Sequence, residues 1–366
     1  MASGFWDGKR VLLTGHTGFK GAWLSLYLEA LGAKVTGLAL APDQTPNLFE
    51  VTRIARGAHS IIADIKDLPA VERAVVEARP DVVIHMAAQA LVRRGYREPV
   101  ETYATNVLGT VHVLDAVRRL SKARASVVVT SDKCYENNEW IWSYRENEPM
   151  GGRDPYSNSK GCAELVVNAY RASYFAQAGM GLASARAGNV IGGGDWSEDR
   201  LIPDLIRGFV DRKPTLIRNP SAIRPWQHVL EAIKGYLVLA EALWSDPAAF
   251  AEGWNFGPPD TGAVPVHAIA NRLAAKWGEG AAWTRDSEAS VHEAHLLKLD
   301  STKARTLLPW QPQLGIEDAL DWIVDWHRAY EARHDMRDFT LRQIEQYQAL
   351  GTGNRCSSAV TSARLR

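Results

Sequence analysis

Cysteine is scarce in this sequence of 366 residues, which contains only Cys134, Cys162 and Cys356. Their number is odd, they lie far apart, and they form neither a CxxC motif nor a cysteine and histidine pattern with zinc-site spacing. These features argue against a disulfide framework and against a metal site. The sequence therefore indicates a protein of a reducing cytoplasm that needs no metal.

An excess of charge of one sign is also missing, since Lys and Arg together number 42 and Asp and Glu together number 42. No bulk charge attracts nucleic acid or an acidic membrane surface, so we expect neither as a partner. The stretch MASGFWDGKR at the start has no long apolar segment, and no run of eighteen apolar residues occurs later. We therefore predict neither a signal peptide nor a membrane span.

The sequence is rich in short apolar runs that alternate with stretches of helical character. The candidate strands are RVLLTG (10–15), KVTGLAL (34–40), SIIADI (60–65), DVVIHMAA (81–88), SVVVTSD (126–132) and GLASARAGNV (181–190). Nearly continuous apolar strands separated by helices are typical of a parallel sheet that is covered on both faces. This pattern predicts an α/β fold with a doubly wound parallel sheet of the Rossmann type.

The pattern changes after about residue 190 to glycine-rich and proline-rich segments, which predict a smaller C-terminal substrate domain. HVLEAIKGYLVLAEALW (228–244) has helical periodicity and GWNFG (253–257) can return to the sheet, so the domains interleave in sequence. The predicted boundaries are 1–191 with 227–262 for the dinucleotide-binding domain, 192–226 with 263–350 for the substrate domain, and 351–366 for a flexible tail.

A glycine motif, TGHTGFKG, directly follows the first candidate strand and spaces Gly15, Gly18 and Gly21 three residues apart. Glycine permits a tight turn and a close approach of the backbone to a pyrophosphate, whose charge the following helix N-terminus can meet. The spacing is GxxGxxG rather than GxGxxG, and the alternative is that the glycines serve packing alone. We predict a dinucleotide site at this turn.

The choice between NAD and NADP depends on the end of the second strand, where an acidic residue would bind the ribose hydroxyls of NAD. Ala41 stands at that predicted end, and Asp43 lies two positions beyond it. Lys20 and Arg53 can meet the 2′-phosphate of NADP, or they are ordinary solvated charges. Asp64, at the end of the third strand, suits the adenine edge and is equally typical of a helix N-cap.

The segment YSNSK places Tyr156 and Lys160 four residues apart, so on a helix both side chains share one face. An ammonium group there favours the phenolate and moves the pKa of the tyrosine from roughly 10 toward neutrality. Such a pair can take a hydroxyl proton while a nicotinamide takes the hydride from carbon. Together with the glycine turn and five preceding strand candidates, this motif indicates a dehydrogenase-type site.

With these motifs the chain resembles an extended short-chain dehydrogenase/reductase, and more narrowly the nucleotide-sugar 4,6-dehydratases, over about residues 5–345. In that family a Thr-Asp-Glu triplet at a strand end precedes the Tyr-x-x-x-Lys helix. Here Ser131, Asp132 and Lys133 of TSDKCYEN occupy the triplet. This lysine, together with KCYENNEWIWSYRE, HMAAQALVRRGYREPVETYATNVLGT, GGGDWSEDRLIPDLIRGF and RPWQHVLE, resembles the CDP-glucose 4,6-dehydratases.

The resemblance implies NAD-dependent dehydration of CDP-D-glucose to CDP-4-dehydro-6-deoxy-D-glucose, by oxidation at C4, loss of water across C5 and C6, and return of the hydride to C6. It implies that Asp132 is the acid at the C6 oxygen. Lys133 either takes the C5 proton as a neutral amine, or stays charged and stabilises an enolate-like intermediate while another group moves that proton. Both side chains face one sugar only if the strand has ended by Ser131, because consecutive strand residues point to opposite faces. The alternative is an exposed Asp and Lys pair in a loop.

The resemblance and the motifs together predict the residues of the site. The catalytic residues are Ser131, Asp132, Lys133, Tyr156 and Lys160. The residues predicted to contact NAD are Gly15, Thr17, Gly18, Phe19, Gly21, Asp64, Ile65, Ala87, Ala88, Gln89, Asn106, Tyr156 and Lys160. The residues predicted to bind the nucleotide sugar are Gln89, Arg93, Asn189, Arg200, Arg224 and His292. For Arg93 a helix cap, and for Asn106 and His292 a structural role, are the alternatives.

Other functions share part of this pattern. A 4,6-dehydratase of another NDP-hexose would share all of it, whereas a nucleotide-sugar epimerase or decarboxylase would not need the pair Asp132 and Lys133. A non-catalytic dinucleotide-binding regulator would not need Tyr156 or Lys160. The resemblance also implies a homodimer.

Overall fold

The computed structural model describes residues 4–286 and 295–353. Its strands are β1 (Arg10–Thr14), β2 (Lys34–Ala39), β3 (Ala58–Ile62), β4 (Val82–His85), β5 (Ala125–Val129), β6 (Gly181–Ala187), β7 (Asn189–Ile191), β8 (Thr215–Ile217), β9 (Ile223–His228), β10 (Gly253–Phe256), β11 (Ala263–Pro265) and β12 (Trp283–Arg285). Within the described residues, seven strands form a parallel sheet in the order β10-β6-β5-β4-β1-β2-β3. The predicted parallel sheet is confirmed, including the return of residues 253–257 to it as β10.

Helices cover both faces of this sheet. They are α1 (Phe19–Ala30), α2 (Leu48–Val51), α3 (Leu68–Ala78), α4 (Val92–Arg97), α5 (Pro99–Tyr103), α6 (Gly109–Leu120), α7 (Pro155–Tyr170), α8 (Leu201–Val210), α9 (Val229–Ser245), α10 (Pro247–Phe250), α11 (Val266–Trp277), α12 (Thr302–Leu307), α13 (Ile316–Glu331) and α14 (Met336–Gly353). Short π-helical turns continue α5 and α7 at Ala104–Leu108 and Arg171–Phe175. The helix predicted over 228–244 is confirmed as α9.

The apolar runs form strands because both faces of each strand are buried. In β1, Val11 and Leu13 join a core cluster with α1 and α9, whereas Leu12 joins a second cluster with α3 and α6. Alternate strand residues point to opposite faces, so one continuous apolar run supplies both cores. The sheet order reverses between β1 and β4, and clefts open at such a switch point in doubly wound sheets.

The predicted strand over 181–190 is two strands, which corrects the sequence prediction. β6 ends at Ala187 and β7 begins at Asn189, where it pairs with β9 in a separate sheet. Gly188 lies between them, and a Cβ atom on it would be 2.5 Å from Pro225 Cγ. The chain therefore passes from one sheet to the other where only a residue without a side chain fits.

Two smaller sheets, β11-β9-β7 and β12-β8, pack with α8, α11 and α13 around a third core cluster that contains Phe209, Trp226 and Leu273. We propose that this cluster is the core of the smaller domain, with the boundaries predicted above. The last helix, α14, packs against α1, and Tyr347 shares a cluster with Trp23. In residues 4–286 and 295–353, no helix is long and apolar enough to cross a membrane.

Candidate active site

The glycine motif forms the turn from β1 into α1. Gly15 has a φ of +82°, a backbone conformation that residues with a side chain rarely adopt, and its N–H donates to Leu38 O at 2.8 Å. A Cβ atom on Gly21 would lie 2.0 Å from Gly15 O, so the first turn of the helix packs directly on the strand end. Gly18 is the N-cap of α1. This arrangement leaves a helix N-terminus open at the strand ends, where a pyrophosphate can bind.

The end of β4 lies beside this turn. Thr14 Oγ1 accepts hydrogen bonds from Met86 N and Ala87 N, each at 3.1 Å. A Cβ atom on Gly15 would lie 2.8 Å from Ala87 N, which places the segment of Ala87 and Ala88 directly against the glycine turn. Thr17 donates its hydroxyl to Leu40 O at 2.8 Å and so ties the turn to the end of β2.

A cleft of about 280 Å³, here called the main cleft, opens at the ends of β5 and β6 and is closed on the other side by residues 189–226. Its charged lining residues in the described part of the chain are Lys20, Arg93, Asp132, Lys133, Asp195, Asp199, Arg200, Asp204, Arg218 and Arg224. Six of these are cationic and four are carboxylates, so the cleft has an excess of two positive charges. Such a cleft favours a dianionic ligand.

Lys20 and Arg53, the two cations considered for a 2′-phosphate, are engaged elsewhere. Lys20 is half-buried in the wall of the main cleft, where burial, followed by Lys160 and Arg200, lowers its pKa to about 7. Its reading as a solvated surface charge is therefore wrong. Arg53 pairs with Asp335 of α14. β2 ends at Ala39, two residues before Ala41, the predicted end of the strand.

The N-cap alternative for Asp64 is wrong, because Asp67 caps α3 by accepting from Ala70 N at 3.3 Å. Asp64 Oδ1 instead accepts from Lys66 N at 2.8 Å, in the loop after β3. Ile65 is buried against α6, where a Cβ atom on Gly109 would be 2.5 Å from its Cδ1. The adenine contact proposed for Asp64 and Ile65 stays a prediction.

Asn106 connects the loop after β4 to α7. Its Oδ1 accepts from Gln89 N at 2.8 Å, and its Nδ2 donates to Gln89 O at 3.0 Å and to Ser159 Oγ at 2.8 Å. The side chain of Gln89 donates to Thr102 Oγ1 at 2.9 Å. These bonds favour the structural alternative for Asn106, which holds Gln89 in place behind the cleft.

Tyr156 and Lys160 lie on the buried face of α7, whose N-cap Asp154 accepts from Ser157 N at 3.0 Å. Lys160 Nζ donates to Val129 O at 3.5 Å. Burial lowers the pKa of Lys160 to about 8. Burial also raises the pKa of Tyr156 to about 12, against the hydroxyl of Ser131 and the charge of Arg200, which lower it.

The pKa expected for Tyr156 near neutrality is therefore not what the structure gives. Burial outweighs the hydroxyl of Ser131 and the charge of Arg200, because removing a phenolate from water costs more free energy than these two groups return. In this arrangement Tyr156 keeps its proton at neutral pH. It becomes a base only when more positive charge gathers at its oxygen than Arg200 alone supplies.

β5 ends before Ser131, so the side chains of Asp132 and Lys133 are free of the strand alternation and both reach the main cleft. β5 ends at Val129, and Asp132–Cys134 form a short 3₁₀ turn whose N-cap Ser131 accepts from Lys133 N at 3.2 Å. Asp132 and Lys133 both line the main cleft. The geometric condition set by the sequence is therefore met.

Asp132 is only 3% exposed, so the alternative of an exposed loop pair is wrong for it. Its Oδ1 accepts from Ser131 Oγ at 3.0 Å, whereas its Oδ2 has no hydrogen-bond partner among residues 4–286 and 295–353. Burial raises the pKa of Asp132, against Lys133 and Arg224, which lower it. A buried carboxyl with a raised pKa, one oxygen of which has no hydrogen-bond partner among these residues, is suited to donate a proton.

The predicted substrate residues Arg93, Asn189, Arg200 and Arg224 all line the main cleft. Arg200 Nη1 pairs with Asp195 Oδ2 at 3.2 Å, and Arg224 Nη1 donates to Ile223 O at 2.9 Å. His292 lies outside the described residues.

Sequence reasoning missed the ion-pair cluster that closes one end of the main cleft. Arg93 Nη1 and Arg218 Nη1 both donate to Asp199 Oδ1, at 2.8 Å and 3.2 Å. Asp199 has a φ of +58°, which is uncommon for a residue with a side chain. The sequence signal for this cluster is Arg218, which precedes the Asn-Pro turn in LIRNPSA, and it does not identify Asp199 as the partner.

Comparisons with known proteins show what this chain is similar to. The family model described as the NAD dependent epimerase/dehydratase family matches residues 11–250. A curated CDP-glucose 4,6-dehydratase of Salmonella typhimurium is 53% identical over 353 residues, covering 95% of this chain and 98% of that protein. A curated UDP-glucose 4-epimerase of Mycolicibacterium smegmatis is 26% identical, covering 87% of this chain and 98% of that protein.

Among solved structures, the dTDP-glucose 4,6-dehydratase DesIV from Streptomyces venezuelae, with NAD and TYD bound, superposes with a TM-score of 0.75. It is 21% identical, and the match covers 89% of this chain and 98% of that chain. At this identity the likeness shows the fold, which is of the Rossmann type.

Proposed function

Because the chain belongs to the NAD-dependent epimerase/dehydratase family, we propose that it removes water from CDP-D-glucose to give CDP-4-dehydro-6-deoxy-D-glucose. The observation that carries this proposal is the break of β5 before Ser131, which turns Asp132 and Lys133 into the cleft that also contains Tyr156. An epimerase needs the tyrosine and lysine of α7 alone. A dehydratase needs an acid and a base at two further carbons as well.

The cofactor is NAD, and the residues of the glycine turn fit it. A side chain at Gly15 or Gly21 would fill the space against Ala87 or the strand end, so the turn keeps the close backbone approach that a pyrophosphate requires. The glycine turn would hold NAD, which when bound would supply the hydride acceptor for C4 and, once reduced, the hydride for C6. The helix N-terminus that begins at Gly18 holds the negative charge of the pyrophosphate.

Oxidation at C4 requires a group that takes the hydroxyl proton, and we assign this step to Tyr156. Its phenol keeps its proton at neutral pH in the structure, so the step depends on the positive charges that face it. Lys160, one helical turn later, and Arg200, across the cleft, lower the cost of the phenolate. We assign the passing of this proton to Ser131, whose hydroxyl donates to Asp132 Oδ1 and lowers the pKa of Tyr156.

Loss of water follows once C4 is a ketone, because the ketone acidifies the C5 hydrogen. Asp132 donates a proton to the C6 oxygen, a role that its burial and raised pKa favour. Lys133 takes the C5 proton as a neutral amine, or as a cation it stabilises the enolate-like intermediate while another group takes that proton.

The diphosphate of the substrate matches the charge of the main cleft. We assign its contacts to Arg200 and Arg224, with Asn189 and Arg93 nearer the sugar. A nucleoside diphosphate sugar carries two negative charges on its diphosphate, and the lining residues have an excess of two positive charges. Planar guanidinium groups bind such oxygens in pairs.

We also propose that the enzyme is a cytoplasmic homodimer. Val100 is 81% exposed and Leu165 is 60% exposed, and they lie on α5 and α7, which pack side by side. Apolar side chains exposed together on neighbouring helices are typical of an interface. Light scattering in solution should give twice the 40.4 kDa mass of one chain.

The function is tested by incubating the protein and NAD with CDP-glucose and reading the alkaline absorbance of a 4-keto-6-deoxy sugar. A dehydratase produces this absorbance, whereas an epimerase produces a C4 epimer without it. Parallel reactions with UDP-, dTDP- and GDP-glucose test the base preference. Turnover of another nucleotide sugar in preference to CDP-glucose would overturn the substrate assignment and leave the dehydration chemistry intact.

A further inference from the structure

A buried carboxylate, Glu164, lies one helical turn beyond Lys160 on α7 and is only 5% exposed. Its Oε1 accepts from the hydroxyl of Thr130. Its Oε2 accepts from Ser184 Oγ at 2.7 Å and from Arg186 Nη2 at 2.7 Å. Glu164 is not among the residues that line the main cleft, so it does not touch the substrate.

Glu164 and Lys160 reach neighbouring positions at the end of β5. Lys160 Nζ donates to Val129 O at 3.5 Å, and Glu164 accepts from Thr130, the next residue. Thr130 directly precedes Ser131, where the turn of the acid and base begins. The same face of α7 therefore carries Lys160 and contacts the residue that precedes the turn of Asp132 and Lys133.

Arg186 extends this contact to the other side of the turn. Its Nη1 donates to Tyr135 OH at 2.7 Å and to Glu146 O at 3.0 Å. Tyr135 follows the 3₁₀ turn directly and donates its own hydroxyl to Asn255 Oδ1 at 2.7 Å. The turn Asp132–Cys134 is thus held before its first residue by Glu164 and after its last residue by the ion-paired Arg186.

Glu164 and Arg186 are both charged in the folded protein. Burial acts to raise the pKa of Glu164, but Arg186 and the hydroxyl donors outweigh it and lower that pKa. The negative charge of Glu164 in turn raises the pKa of Lys160 against burial. The titratable and charged groups that face Lys160 are Glu164 of α7, Lys20 of α1, His85 of β4 and Cys134 after β5, and Tyr156 lies one turn earlier on α7.

We propose that Glu164 is a positioning residue for both stages of the reaction: it orients the turn that carries Asp132 and Lys133, and its charge keeps Lys160 cationic beside Tyr156. The proposal rests on the proposed function, since it assigns Glu164 to the same reaction. Glu164 acts through hydrogen bonds and charge and forms no bond to the sugar. Loss of its charge alone should therefore affect proton transfer more than substrate binding.

The test is Glu164→Gln, which keeps the shape of the side chain and removes its charge. The rate of nicotinamide reduction in a single turnover with CDP-glucose is measured against pH. Because Lys160 loses its proton more easily without Glu164, the fall of this rate on the alkaline side should begin about 1 pH unit lower. At neutral pH kcat should fall about twofold or more, with the KM for CDP-glucose within about twofold of the wild-type value.

Glu231→Gln is the matched control. Glu231 of α9 is 0% exposed and accepts from Gln313 N at 2.8 Å, Leu314 N at 2.7 Å and Tyr347 OH at 2.8 Å, but it is not part of the described lining of the cleft. This variant should lose thermal stability and keep the pH profile. The proposal is overturned if Glu164→Gln, in its folded fraction, keeps the wild-type profile, or if both variants shift it equally.

Thr130→Val separates orientation from charge and serves if Glu164→Gln does not fold. It removes one hydrogen bond to Glu164, so dehydration should slow by about fivefold while the pH profile of nicotinamide reduction stays unchanged. An unchanged dehydration rate would refute the orienting role. Failure of the function itself is distinguishable, because wild-type protein would then give no product from CDP-glucose, whatever the variants do.

Discussion

Two glycines of the same turn should respond in opposite ways to the addition of one methyl group. In Gly21→Ala the new Cβ would lie 2.0 Å from Gly15 O and 2.8 Å from His16 Cα. Real contacts of this kind exceed 3 Å, so the backbone must move by more than 1 Å. Overpacking of this kind costs about 1–3 kcal/mol, which exceeds the roughly 1 kcal/mol that alanine gains over glycine in a helix.

In Gly18→Ala the nearest atom to the new Cβ is Gly15 O at 3.5 Å, an ordinary contact, and the φ of Gly18 is −78°. This variant should keep the stability of the protein or raise it by about 0.4–1 kcal/mol. It places a methyl group where the backbone meets the pyrophosphate, so NAD should bind about tenfold more weakly, a loss of about 1.4 kcal/mol.

The assay combines thermal unfolding without cofactor and calorimetric titration with NAD. Gly21→Ala should unfold at a lower temperature than wild type, whereas Gly18→Ala should not and should instead show the weaker NAD affinity. If Gly21→Ala matches wild type in both measurements, the turn is not held against the strand end as described. If Gly18→Ala binds NAD normally, the pyrophosphate does not lie over that residue.

Two assigned catalytic groups and the ion-pair cluster of the main cleft give three further predictions. Lys133→Met should still reduce the nicotinamide transiently but lose dehydration, because Tyr156 remains, and normal turnover in rapid-quench product analysis would show the lysine assignment to be wrong. Tyr156→Phe should lose nicotinamide reduction itself, because the C4 hydroxyl proton has no acceptor, and retained reduction in stopped-flow absorbance would count against the tyrosine. Asp199→Asn removes the negative charge that binds Arg93 Nη1 at 2.8 Å and Arg218 Nη1 at 3.2 Å. Its KM for CDP-glucose should rise about threefold to tenfold with little change in kcat, and an unchanged KM in steady-state assays would exclude a role in shaping the cleft.

Local patterns determined much of the fold from the sequence alone. The seven-residue run GLASARA predicts a buried strand, and GWNFG predicts a return to the sheet, because both faces of a central parallel strand are apolar. The strand ends were less predictable. Gly188 ends β6 because Pro225, 37 positions away, approaches it, and no local pattern contains that distance.

The residues of the site also divide into those that local sequence patterns predict and those that they do not. The spacing of Gly15, Gly18 and Gly21 and the four-residue interval from Tyr156 to Lys160 are local, so the sequence predicts a dinucleotide turn and a proton-transfer helix. Family resemblance added the roles at the end of β5. The predicted contacts of these residues with NAD and with the sugar stay predictions that the variants above test.

Only the tertiary structure decided what surrounds each charge. Lys20 reads as a surface lysine in the sequence, yet it lies in the wall of the main cleft, and burial lowers its pKa. Glu164 reads as one more helix glutamate, yet it bonds to Arg186, which is 22 residues away. The sequence by itself determined where turns, strands and reactive side chains occur, because those depend on near neighbours. Burial and partnership depend on atoms from distant parts of the chain, so they appear only when the chain has folded.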